Sequence, residues 1–229
     1  MKKIITLGMT MAFLAGLSAN AITVNVTAIA GYSQTAPTDG GEFNISPVIG
    51  GGYSPKVIVN GGFETFCMDR NGTIVVPGTY NATINTSGTS LIGNTLTTGS
   101  AWLYQQFAAG TLAGYNYTPG VNRAAFATVL QQALWNLGNG QYGGPAGTLN
   151  NVFVNAAVAN FGSIAGATAF TTGNAFDVAI LNLSHLAADG RTVIQDQPMF
   201  TLLPDGGTTL MLMGFGFSSL ALISRKMRA

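Results

Sequence analysis

Residues 122–137 read NRAAFATVLQQALWNL, and the spacing of their apolar positions predicts a helix covered on two sides. Phe126, Val129, Leu130, Ala133 and Leu137 recur at i, i+3 and i+4 steps and form one continuous stripe. At about 100° per residue Trp135 falls on the opposite side, with Gln131 one turn before it. A large aromatic off the main stripe implies a second covering element, and Gln131 lies beneath that cover. Residues 100–112, 150–161 and 174–188 also suit helices, with Asn or Ser near several starts and Gly138, Gly162 and Gly190 past three of the ends.

The first half of the chain changes period. Residues 23–29, 56–59, 65–69 and 72–84, the last interrupted by Pro77-Gly78, alternate like short strands, and Thr38-Asp39-Gly40-Gly41 reads as a turn between them. Residues 191–203 are expected to return as a last strand. The expected fold class is therefore α+β: a β-sandwich or sheet of short strands with a helical insertion or cap, in one exported domain spanning 22–202.

Composition narrows the function. The 229 residues include 31 Gly, and only 7% are charged against a usual quarter or so. Residues 22–205 hold four cations, Lys56, Arg70, Arg123 and Arg191, against all eight acids. No clustered basic surface is there to neutralise phosphates, which excludes a nucleic-acid partner.

Both ends read as export signals. Lys2-Lys3, the apolar run 4–17 and Ala19-Asn20-Ala21 make a signal peptide over 1–21 with cleavage expected after Ala21. Residues 208–224 are uncharged and precede Arg225, Lys226 and Arg228; as a helix they measure roughly 25 Å, enough to cross a thin bilayer. The cations should stay cytoplasmic, placing the domain outside the inner membrane. Before this helix stands Leu203-Pro204-Asp205-Gly206-Gly207. This order of turn, apolar helix and basic tip over 203–229 resembles the PEP-CTERM sorting tags, in particular the VPDSG-CTERM variety, with Leu203 where Val is usual and Gly206 where Ser is common. The resemblance implies an exosortase as partner beside the export translocon. It also implies cutting near Pro204-Asp205, an inner-membrane-anchored intermediate, and then a cell-surface or secreted product.

Within the domain the inventory excludes most chemistry. One His and one Cys do not build a zinc site, and no metal or cofactor is expected. His185 is expected on the surface of a helix. Glu64 and Asp69 lie close in sequence but on opposite faces of a strand, so a glycan-processing hydrolase, the enzymatic alternative, would have to recruit distant carboxylates. Cys67, in Phe66-Cys67-Met68-Asp69, has no partner for an intrachain disulfide although the compartment is oxidising. The thiol is free, paired with another molecule or chemically masked. Alternation places it on the more polar face of its strand. Tyr115, Tyr117 and Tyr142 are either platforms for sugar rings or packing anchors.

Phe66-Cys67-Met68 followed by Leu130-Gln131-Gln132-Ala133-Leu134-Trp135 is similar to the thioester domains of bacterial surface adhesins. Those pair an aromatic-Cys motif with a Thr-Gln-x-Ala-Ile-Trp-like motif; Leu130 and Leu134 stand in for Thr and Ile. The resemblance implies an internal thioester between Cys67 and Gln131 that captures an amine on a foreign surface. The reading that unites these signals is not an enzyme. It is an exported, exosortase-processed surface or extracellular-matrix protein, structural or adhesive, whose partners are exopolysaccharide or an amine-bearing surface, with the covalent adhesin as its special case.

Overall fold

The computed structural model describes residues 22–32, 40–46, 54–55, 61–172, 175–186 and 192–202. Seven strands form one sheet: β1 (Ile22–Ala28), β2 (Phe43–Ser46), β3 (Ser54–Pro55), β4 (Phe63–Thr65), β5 (Gly78–Asn85), β6 (Val178–Leu186) and β7 (Thr192–Leu202). Between β5 and β6 come the helices α1 (Thr98–Ala108), α2 (Val121–Leu137), α3 (Val152–Asn160) and the single turn α4 (Ile164–Ala167). The strand order is β3-β7-β6-β5-β1-β2-β4, and every pairing is antiparallel.

Six of these strands, β7-β6-β5-β1-β2-β4, curl until the end of β4 meets β7. Just past β4, the Met68 N–H donates to the Asp196 carbonyl of β7 at 2.7 Å, and the Thr65 hydroxyl donates to the Pro198 carbonyl at 2.5 Å. The result is a nearly closed barrel with a helical layer on one side, the sheet-with-cap form of the expected α+β fold rather than a two-sheet sandwich. Barrel closure shields the edge groups of β4 that an open sheet would leave for other chains.

Alternation along β6 divides the core. Ala179, Leu181 and Leu183 join Val24, Val26, Ile45, Tyr80 and Met199 inside the barrel. Val178 and Ile180 face the helices, with Phe66, Leu103, Phe107, Leu130, Phe153 and Phe200. A strand buried on both faces reads as an unbroken apolar run. Of residues 174–188, expected as a helix, the described ones are instead a 3-10 turn at Ala175–Asp177 followed by β6, which places His185 on a strand.

The other helices follow their local signals. Thr97 and Ser100 form a capping box on α1, the Asn151 side chain accepts from the Phe153 and Val154 N–H groups on α3, and Gly138 stops α2. Among the described residues no helix is long and apolar enough to cross a membrane. The signal peptide expected over 1–21, with Ala19 and Ala21, and the sorting tag expected over 203–229, with its motif 203–207 and basic stop, lie outside the described residues.

Candidate functional site

The two faces of α2 are both covered. Leu130, Ala133, Leu134 and Leu137 pack among the helices, while Trp135 plugs the barrel interior beside Cys67. This rotation carries Gln131, four residues before Trp135, into the seam between barrel and helices, where it is fully buried. Its carboxamide closes a two-bond ring with one residue. The Cys67 N–H donates to Gln131 Oε1 at 2.8 Å, and Gln131 Nε2 donates to the Cys67 carbonyl at 2.7 Å. A third donor, the Gly41 N–H, reaches the same Oε1 at 3.4 Å.

Cys67 itself departs from expectation. Strand β4 ends at Thr65, so alternation does not govern residues 66–69, and Phe66 and Cys67 are both buried in apolar clusters. Cys67 is on no polar face. Burial, reinforced by the nearby Asp69 charge, pushes its thiol far above the ordinary range, so the sulfur is held protonated. Beside it lies a pocket of about 20 Å³, room for about one water-sized molecule, bounded by Leu96, Ser100, Leu134 and Pro198 among others.

Asp69 anchors the other end of this segment. Its carboxylate accepts from the Ser90 hydroxyl at 2.8 Å, Asn94 Nδ2 at 2.6 Å and the Asp196 N–H at 3.2 Å. All three are donors, so this acid is solvated by the protein and is not arranged to hold a cation. No group of three or more His, Cys, Asp or Glu among the described residues forms a metal site.

Sequence proximity missed the principal acid pair. Register brings Glu42 on the approach to β2 alongside Glu64 on β4, and both close on Arg123 of α2. Arg123 Nε donates to Glu42 Oε2 at 3.0 Å, Nη2 donates to Glu42 Oε1 and, at 2.9 Å, to Glu64 Oε2. The Tyr115 hydroxyl donates to Glu42 at 2.8 Å, and the Tyr32 ring lies over the guanidinium with its centroid at 3.6 Å. Glu42 is wholly buried and Glu64 half-buried, and Arg123 neutralises charge between them. Tyr115 is a buried packing anchor among Phe107, Phe126 and Phe153, Tyr117 stacks on Phe107, and Tyr142 packs on Trp135 beneath Arg70.

These acids set the pH dependence of folding. Burial, then the neighbouring Glu42 charge, raises Glu64 from 4.5 to about 7 against the pull of Arg123. Burial raises Asp196 from 3.8 to about 6 despite the hydrogen bond from the Leu91 N–H. Raised folded-state values mean that the native state binds protons more tightly than the unfolded chain. The stability these groups contribute is therefore present at low pH and lost as pH climbs through that window. The melting temperature is expected to be a few degrees higher at about pH 5 than at about pH 8; a melt that is flat or reversed across the window contradicts this assignment.

Neither a family model, a curated protein nor a solved structure matches the chain.

Proposed function

We propose that the chain is an exported surface or matrix protein, sorted by an exosortase at residues 203–229, whose adhesive chemistry is an internal thioester between Cys67 and Gln131. The observation that supports the chemical part is the ring of two hydrogen bonds joining the Gln131 carboxamide to Cys67 across the buried seam. A glutamine more than sixty residues away in sequence is thereby fixed on the one cysteine of the chain. Proximity of this kind turns a slow bimolecular acyl transfer into an intramolecular one.

The thiol sulfur attacks Cδ of Gln131, the S–C bond forms, and the C–N bond breaks. The thiol proton passes to Nε2, which leaves as ammonia, of a size the neighbouring pocket admits. The product stores an activated acyl group behind a seam that excludes water. An amine from a foreign surface then attacks Cδ, the C–S bond breaks, and an amide tethers the protein while the sulfur regains a proton.

Intact-mass measurement on protein from the native envelope tests the whole reading. The expected polypeptide begins at Ile22, ends near Pro204-Asp205 and weighs one ammonia less than that sequence. Cys67→Ala or Gln131→Ala should abolish the deficit. A full mass together with a thiol that alkylates after unfolding leaves Gln131 as a structural brace. Unprocessed ends would overturn the sorting part.

A further inference from the structure

The geometry points to the Gly40-Gly41 backbone as part of the catalytic apparatus: we propose that the N–H groups of Gly41 and Cys67 form an oxyanion hole for Gln131 Oε1. This inference rests on the thioester reading and adds to it the groups that lower the barrier. Attack on Cδ, whether by the Cys67 sulfur during formation or by an amine during capture, makes Cδ tetrahedral and drives negative charge onto Oε1. Two backbone donors already aim at that atom, Cys67 at 2.8 Å and Gly41 at 3.4 Å. The longer contact is positioned to shorten as charge develops. Preorganised donors of this kind stabilise the transition state more than the ground state. The same two donors serve both steps, because Oε1 remains the acyl oxygen throughout.

Position 40 explains why the sequence carries Gly there. Its φ is +65°, and a Cβ would lie 2.5 Å from Gln131 Cγ and 2.8 Å from both Cδ and Oε1. Only a bare backbone with left-handed geometry comes this close to the carboxamide, and that close approach delivers the next N–H to Oε1. On the far side of the carboxamide, the Cys67 carbonyl accepts from Nε2 at 2.7 Å and orients the leaving nitrogen.

The test exchanges one atom. Full-length chain is made by cell-free translation into detergent micelles, with glycolic acid in place of Gly41, so that an ester oxygen replaces the N–H. Intact mass follows the loss of ammonia, and then the addition of methylamine. Both rates are expected to fall by about 100-fold, the lower end of what removing one oxyanion donor costs. Gly40→Ala is the second variant: it keeps every N–H but holds Gly41 out of reach, and the same slowing is expected. A cooperative melt certifies each variant as folded. A folded variant of either kind that loses ammonia and takes up methylamine at the parent rates overturns the oxyanion hole while leaving the thioester standing. A parent chain that never loses ammonia removes the thioester and this inference together.

Discussion

Arg123→Met is expected to lower the melting temperature by about 10 °C, at roughly 2–4 °C per kcal/mol for a chain of this size, through a loss of about 3–5 kcal/mol. The residue is 4% exposed and satisfies three carboxylate oxygens, two of Glu42 beside β2 and one of Glu64 on β4. Methionine fills much the same volume, so the loss comes from charge rather than from a cavity. Glu42 and Glu64 would face one another with no cation between them, and Glu42 would keep only the Tyr115 hydroxyl among the donors named above. Removing one partner from a buried charge cluster costs more than the cluster is worth as a whole, because the remaining charges stay desolvated. Two controls follow. Lowering the pH to about 5 should recover part of the loss, since protonation removes the repulsion. Adding Glu42→Gln and Glu64→Gln to Arg123→Met should recover more. A single variant that melts with the parent at about pH 8 would mean that the guanidinium contributes only packing.

The sequence carried the helical half more clearly than the barrel. Helices α1, α2 and α3 were legible from their helical spacing and from Asn or Ser near starts and Gly138 past an end, signals that act within one or two turns. Strand β6 did not, because Val178–Leu183 is buried on both faces and loses the alternation that marks a strand. β2 is four residues long, too short to show a period before its partners are known. The site divides in the same way. Cys67 stood out because it is the one cysteine, and Gln131 because Trp135 breaks the stripe of its helix. Gly40-Gly41 read only as a turn, since the group its backbone meets is a side chain 90 positions away. Glu42 and Glu64 became a pair only when β2 and β4 aligned in register. Residues whose role depends on strand pairing leave no local trace.

Gln131→Glu should abolish amine capture entirely and also unsettle the fold in a pH-dependent way. The substitution keeps the shape of the side chain and one acceptor for the Cys67 N–H. It replaces Nε2, which donates to the Cys67 carbonyl at 2.7 Å, by an oxygen that repels that carbonyl. No ammonia remains to be expelled, so the sulfur gains no acyl group and methylamine finds nothing to displace. Burying an ionised carboxylate against a carbonyl should cost about 3 kcal/mol or more at about pH 8. The protonated acid escapes this penalty, because its O–H donates where Nε2 did. The folded state therefore raises the acid's pKa above its unfolded value. Stability is held at low pH and lost as pH rises through the raised value, so the variant should approach the parent's melting temperature near pH 5. The same carboxylate is what water would leave behind if it, rather than an amine, opened the proposed thioester. Hydrolysed parent protein is then expected to melt below the bonded form and to share the variant's pH profile. An aged parent sample that has regained mass yet melts with the bonded form at every pH from about 5 to about 8 would show that the ring between Gln131 and Cys67 contributes nothing to holding barrel and helices together.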